Sequence, residues 1–588
     1  NITMANHVFL SYAREDIEIA QRIYIDLISI GVEVWFDKKN LRPGEKWKTA
    51  ISKAIKECKY FLAIISKTSV DKKGFVQKEL HQALEVLEEV PEHHIFVIPV
   101  RTENCMPSNS KLLDLNFVDL FPSYSDGIKK LKTLFYPEAK IDENQKKPDK
   151  NRRLVSIYCR RFGDEERQLA YGLDVDGQGN IVITGSFWGS VDFGGGVLRA
   201  SGDRNIFLAK FNSECRHLWS RSYGNSGEQV GVAAHTDSKG SIILTSAFTG
   251  QLDFGGKPLI SRGRYNVALT KLDFEGEHLW SKCFGDDRYH VPECHTVAKN
   301  GNIIITGRFQ GSINFGGATI ESQSAQTDIF VASFSQDGEH LWSKRFGGPY
   351  EQQTRDISVN LNGEIALTGI FKGVIDFDAF RLSAGTNEEY MGYILKLDAL
   401  GNVLWAKTFG EPSVQQGSAI TFDKEGYIYA SGIIRGVQRH LKSVTKIEGD
   451  AVTLLAQYTP SGILCWSRTF GDSVFSSNLA LNSKGDILLT GYFGGSAGFG
   501  DKVLISAGGF DIFVLQVTGD GTICLAEQYG DERQQFLVKG AFLPMDQIVL
   551  TGSFHGTIDF GAETLIASGY DGSGESTEDI FLTVLKSA

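Results

Sequence analysis

The chain has 588 residues, 42% of them hydrophobic and 22% charged, with a formal net charge of −11. That length exceeds one ordinary core and asks for two or more domains, and the apolar content excludes a disordered polymer. No apolar run is long enough to span a bilayer and no signal peptide is visible, so a cytoplasmic protein without membrane contact is expected.

Charge is uneven. Residues 1–150 hold 23 Lys+Arg against 22 Asp+Glu, and the remainder holds 37 against 49. An acidic C-terminal part argues against a nucleic-acid partner. Eight cysteines (58, 105, 159, 215, 283, 294, 465 and 524) form no CxxC pair and no zinc-ligand spacing, so reduced thiols and no metal site are expected. Asn1-Ile2-Thr3 precede Met4 and read as foreign to the native start.

From residue 7 to about 136, strand-like and helix-like segments alternate. "VFLSY" (8–12) is an apolar run. "DIEIAQRIYIDLISIG" (16–31) sets Ala20, Ile23, Tyr24 and Leu27 on one helical face. "VEVWFD" (32–37), "YFLAIIS" (60–66), "HIFVIPV" (94–100) and "FVDLF" (117–121) read as further strands, and "GFVQKELHQALEVLEE" (74–89) as a helix. Apolar strands alternating with helices indicate a parallel sheet covered on both faces. Ligands of such sheets bind beyond the carboxyl ends of the strands. There the sequence places Ser11-Tyr12-Ala13-Arg14, Asp37 and Ser66-Lys67, with Glu79 on the following helix. No GxGxxG and no P-loop follows the first strand, which disfavours a dinucleotide or nucleotide-triphosphate fold of those types.

"FLSYARED", "LRPGEKW" and the aromatic-x-x-x-Glu-Leu at 75–80 resemble a bacterial TIR domain, over about residues 5–136. The resemblance implies a flavodoxin-like α/β fold. It also implies cleavage of NAD+ at the nicotinamide–ribose bond, with NAD+ as substrate and no cofactor. The family's catalytic glutamate falls on Glu79 and its aromatic partner on Phe75, where the family pattern has Trp. Phe9, Ser11, Tyr12, Arg14, Asp37 and Trp47 are the remaining substrate-contact candidates. Trp47 reads first as core, and Arg14 equally as a surface ion pair. The chemistry suits a carboxylate: nicotinamide loss leaves an oxocarbenium-like ribose, which a fixed anion stabilises.

"PEAKIDENQKKPDKNRR" (137–153) reads as a solvated linker, with the linker segment taken as 137–154. Beyond it the chain repeats. An aromatic-Gly mark stands at Phe162, Tyr223, Phe284, Phe346, Phe409, Phe470 and Tyr529, and a Thr-Gly mark or variant recurs in step. The seven units, each with four short strands, resemble the bacterial seven-bladed propeller repeat over 155–588. Strand 156–162 supplies the fourth strand missing from the last unit, by pairing with 579–586, and closes the ring.

Within the repeat, Trp219, Trp280, Trp342, Trp405 and Trp466 read as packing, and "DFG" at 192–194 and 253–255 as a turn feature. Gln168, Gln229, His290, Gln352, Gln415 and Gln535 read as a polar ring near the axis or as hydrogen bonds between blades. Two departures stand out: "IIRGVQRHLKSVTK" (433–446), basic through Arg435, Arg439, His440, Lys442 and Lys446, and the acidic "DGSGESTED" (571–579). Either reads as a docking patch or as loop drift.

Together these imply an NAD+ nucleosidase held by a propeller that senses an unknown protein or small-molecule trigger. Self-association through TIR domains and a role in anti-phage defence follow from the resemblance. The alternative is a non-catalytic adaptor.

Overall fold

The structure is a computed structural model. In the N-terminal unit it describes residues 7–28, 33–36, 51, 52, 54, 55, 58–71, 83, 97–107, 110–113, 115–121, 124, 127, 128, 130 and 131. In the C-terminal unit it describes 153–587 except 226, 324, 325, 386, 388, 410–414, 435–450, 472, 562 and 569–576. The chain divides into Asn1–Lys147 and Pro148–Ala588.

The first unit is built on five parallel strands, β1 (His7–Ser11), β2 (Glu33–Trp35), β3 (Tyr60–Ile65), β4 (Val97–Arg101) and β5 (Val118–Asp119), in the order β2-β1-β3-β4-β5. Because side chains alternate across a strand, each apolar run feeds two cores. Val8, Leu10, Leu62, Ile64, Ile98 and Val100 pack beneath helix α1 (Ile17–Ile28), whose Ala20, Ile23 and Leu27 are fully buried. Phe9, Phe61, Ala63, Ile65 and Val97 fill the opposite face with Ile51, Ile55, Ala83 and Leu112.

The second unit is a ring of seven antiparallel four-stranded sheets. Strands are lettered a to d from the axis outward. The first blade runs Gln168–Val175, Ile181–Phe187, Asn205–Phe211 and His217–Tyr223. The seven a strands pack on one another in succession, the last against the first. Strands b and c of the first blade are buried along their whole length, because each blade sandwiches the next. A fully buried Phe in such a layer contributes about 2–3 kcal/mol.

The seventh blade is closed by Leu154–Phe162, which lies antiparallel to Asp579–Ser587 with Thr583 opposite Cys159. Ser156 Oγ and Thr583 Oγ1 are 3.1 Å apart across this seam. In the first blade the Thr-Gly mark is mechanical: Thr184 Oγ1 donates to the Phe207 carbonyl at 2.7 Å. A Cβ on Gly185 would lie 1.9 Å from the Leu169 carbonyl oxygen, so only glycine lets strand a approach. The "DFG" triplet is a turn: Asp192 Oδ1 accepts the Gly194 N–H at 2.7 Å, and Phe193 plugs the core against Phe162 and Phe207.

Candidate functional site

The strand order makes β1 and β3 the switch point of the first unit's sheet, since the chain leaves β1 toward β2 on one side and returns as β3 on the other. The crevice outside their carboxyl ends is the default ligand site of such a sheet. Ser11 ends β1 and is buried. Tyr12 follows, its ring stacked on Phe36 at 5.3 Å. Ala13 is extended and opens a 3-10 turn, Arg14–Asp16, that leads into α1 with Arg14 exposed.

From the other side comes Ser66, buried at the end of β3. Its Oγ donates to Asp16 Oδ2 at 2.7 Å and lies 3.0 Å from Thr68 Oγ1. This bond ties the β1–α1 loop to β3 across the switch point. The same edge continues outward. The Lys67 N–H donates to Glu103 Oε1 at 3.0 Å, and Arg101 grips Asp119 in a bidentate pair at 2.6 and 2.8 Å. The Arg101 hydrogen bond holds the Asp119 carboxyl below its ordinary range, so the fork stays charged near neutrality.

Sequence expectations meet this geometry unevenly. Ser11, Tyr12 and Arg14 gather at the end of β1. Phe9 is corrected from a substrate contact to a packing residue: it is 1% exposed, with Trp35 stacked at 4.7 Å and Phe61 at 5.3 Å, leaving no ring face for a ligand. Glu79, Asp37, Trp47 and Phe75 lie outside the described residues. Asp16 was missed; an acid in the first turn of a helix reads as a dipole partner, and only the fold brings it to Ser66.

In the propeller, the basic patch Arg435, Arg439, His440, Lys442 and Lys446 also lies outside the described residues, as does the acidic insertion up to residue 576. The expected polar ring is corrected. Gln168 Nε2 donates to Asp164 Oδ1 at 2.7 Å and to the Trp188 carbonyl, and its Oε1 accepts the Asp164 N–H. Gln535 Nε2 repeats the two donations, to Asp531 Oδ1 and the His555 carbonyl. The Gln168 and Gln535 side chains close loops at the end of the ring.

One pair on the inner wall does bridge blades. His235 Nδ1 lies 3.2 Å from His295 Nε2, and His295 Nδ1 lies 2.9 Å from Thr245 Oγ1. Burial, reinforced by His235, pushes His295 well below the ordinary imidazole range and keeps it neutral. Among the described residues no three His, Cys, Asp or Glu are placed to hold a metal ion, and no helix is long and apolar enough to cross a membrane.

Comparison with known proteins places residues 8–132 in the TIR domain family. The Toll-related receptor TRR-2 TIR domain of Hydra magnipapillata is 20% identical, covering 22% of this chain and 91% of that one, with a TM-score of 0.18. A protein of unknown function from Dyadobacter fermentans covers 74% of this chain and 99% of its own at 11% identity, with a TM-score of 0.36. An uncharacterized WD repeat-containing protein of Acanthamoeba polyphaga mimivirus is 22% identical over 259 residues, 37% of this chain. The regulatory protein FlaEY of Caulobacter vibrioides is 28% identical over 141 residues, 23% of this chain. The matches span only 18% and 15% of the length of those two relatives. Family match, parallel sheet and seven four-stranded blades agree: this chain carries an N-terminal TIR domain followed by a seven-bladed β-propeller.

Proposed function

We propose that the TIR domain cleaves NAD+ at the nicotinamide–ribose bond, with Glu79 as the catalytic carboxylate, and that the propeller regulates this activity. The coarser statement, a TIR-containing signalling or defence protein, rests on the architecture itself. The observation that carries the finer one is the aromatic-x-x-x-Glu pattern at 75–79, inside the matched region. Glu79 would stabilise the developing oxocarbenium ion and steady the ribose hydroxyls. The end of β1, with Tyr12 and Arg14, supplies an aromatic and a cationic group for the nucleotide. NAD+ loss in the cytoplasm after TIR self-association would serve anti-phage defence. No resident cofactor is required, because nicotinamide is a good leaving group.

The test is nicotinamide release from NAD+ by the full chain at high concentration, with Glu79→Ala and Glu79→Gln alongside. Release by the wild type and loss in both variants support the reading; full activity in either variant ends it. Phe75 favours a second reading, a non-catalytic adaptor, since a phenyl ring offers less stacking area than an indole. That reading predicts wild-type protein that self-associates and releases no nicotinamide.

A further inference from the structure

In each blade the start of strand a, the end of strand b and the start of strand c share one face of the ring, while the a–b and c–d turns share the other. The second face repeats its sequence, as in the Asp-x-x-Gly turns at Asp176–Gly179 and Asp237–Gly240. On the first face the residues flanking the strands change from blade to blade. They are nevertheless joined.

Glu578, before strand c of the seventh blade, pairs with Arg167 and lies 3.5 Å from His555. Arg167 and Arg204 stand over the Trp188 ring at 5.3 and 5.2 Å. Arg204 reaches Glu228 at 3.4 Å, and the Tyr265 hydroxyl donates to the same carboxylate. Tyr265 meets Tyr289 edge to face at 5.9 Å, and Arg308 stands over Tyr289 at 5.7 Å. Arg308 then pairs with Glu293 at 2.8 Å and approaches Glu351 to 4.0 Å, and Glu351 accepts the Tyr390 hydroxyl at 2.7 Å. The arc passes through five consecutive blades, the seventh and the first to fourth. Phe536 packs on His555 at 5.8 Å, and Phe475, Tyr492 and Phe510 form an aromatic trio of their own on the sixth blade.

Part of the arc is open to solvent, while Glu578, Arg204 and Glu293 are 9%, 18% and 17% exposed. Arg167, Glu228 and Glu351 side chains are 54%, 47% and 35% exposed, and Trp188, Tyr265, Tyr289 and Tyr390 are half-buried. At these positions the backbone already joins neighbouring blades, the Gln229 N–H donating to the Arg204 carbonyl and the His290 N–H to the Tyr265 carbonyl, so the side chains add to a seam that the main chain closes. We propose that this arc is a docking surface for a protein segment that carries aromatic or aliphatic anchors among charges of both signs. The inference rests on the regulatory reading of the propeller and names where its trigger binds.

Three features select that occupant. Tyr, Trp and Arg are the residues that dominate protein–protein binding energy. The charges alternate and each already faces an opposite one, so a polyanion such as nucleic acid gains no net attraction, whereas side chains of mixed sign find partners at every step. An arc crossing five blades exceeds the reach of a small molecule.

The test is panning of a phage-displayed library of random twelve-residue peptides on the immobilised full-length chain. Enriched peptides are then measured against wild type and a Trp188→Ala/Tyr265→Ala/Tyr390→Ala variant. The expected result is peptides with anchored, mixed-charge sequences whose affinity falls about tenfold or more on the variant while thermal unfolding stays cooperative. If the triple variant does not fold, Arg167→Ala and Glu228→Ala give the same comparison. Peptides that bind wild type and variants alike, no enrichment, or a glycan array that binds where peptides do not would overturn the proposal. The readout is binding, so a chain that releases no nicotinamide tests it equally well.

Discussion

Trp219, on the outer strand of the first blade, lies flat against Gly276 in the c–d turn of the second: a Cβ on that glycine would sit 2.9 Å from the indole ring. The indole Nε1–H donates to the Phe274 carbonyl of the same turn at 3.1 Å. Trp342, Trp405 and Trp466 make the same bond to Ala399, Pro460 and Gly519 at 3.0–3.1 Å. In these four the tryptophan mark of the repeat is a latch between neighbouring blades, whereas Trp280 lies against Gly338 without the hydrogen bond among the described residues.

Gly276→Ala tests the latch. The residue has φ +80°, which costs any L side chain about 1 kcal/mol, and the added methyl must also displace the ring. Gly240 has the same φ but only Phe274 Cβ at 3.7 Å, so Gly240→Ala carries the backbone penalty alone. Urea unfolding should show Gly276→Ala destabilised by about 2–4 kcal/mol and Gly240→Ala by about 1. Equal losses would show that the ring contact contributes nothing.

Asp511 opens strand c of the sixth blade and is 1% exposed. Its Oδ1 and Gln535 Oε1 both lack a hydrogen-bond partner among the described residues, and both face Gly530, at 2.4 and 2.5 Å from its ideal Cβ. The equivalent positions of blades three and seven, Asp328 and Asp579, have Arg345 and Arg161 beside them, and those of the first two blades are Asn205 and Asn266. Burial pushes the Asp511 carboxyl up from 3.8 to about 6. In that interval the folded state holds a proton that the unfolded chain has released, so stability falls as pH rises from about 4 to about 6 and stays lower above it. The loss attributable to this group is roughly 3 kcal/mol. Asp511→Asn should abolish that slope and raise the melting temperature at pH 7.5. A variant no more stable than wild type at that pH would refute the assignment.

Lys210 and Asp176 form an ion pair at 2.9 Å with side chains 5% and 3% exposed, and Lys271–Asp237 repeats it in the second blade. Burial raises the Asp176 carboxyl, but hydrogen bonds from Asn180 and Lys210 outweigh it and hold the group below its ordinary range. Lys210→Met leaves a buried carboxylate without its cation and should cost about 3 kcal/mol. That loss should shrink at pH 4.5, because without Lys210 the burial of Asp176 favours its neutral form and protonation relieves the unpaired charge. Denaturation curves at pH 7 and pH 4.5 check both.

Asp16 anchors the β1–α1 loop to Ser66 at the switch point. Asp16→Ala should therefore loosen the crevice without touching Glu79. If the chain releases nicotinamide, this variant should retain activity reduced roughly tenfold to a hundredfold, whereas Glu79→Ala abolishes it. Steady-state kinetics on both variants separate a positioning group from a catalytic one.

Periodicity and spacing carried much of the architecture. The alternation of apolar runs with helical faces in residues 7–136 is enough for a parallel α/β sheet, because the burial of both sheet faces leaves no other solution. Seven aromatic-Gly marks at near-constant spacing are enough for seven blades, and the spare strand 156–162 fits as the partner of the C-terminal strand. The site was less legible. Phe9 stands next to Ser11 on the same strand face, and sequence cannot tell which of the two ends at the crevice and which lies under Trp35 and Phe61.

What the sequence alone determined is local and repetitive: strand and helix identity, blade number, turn glycines, and the TIR family match. Only tertiary structure decided the pairings between residues far apart in the chain. Asp16 with Ser66 joins side chains that no repeat relates, and the arc from Glu578 to Tyr390 fills repeated positions with side chains that differ from blade to blade. A repeat encodes contacts within a blade and between equivalent positions of neighbouring blades. The contacts that differ from blade to blade exist only once the ring has brought their ends onto one face.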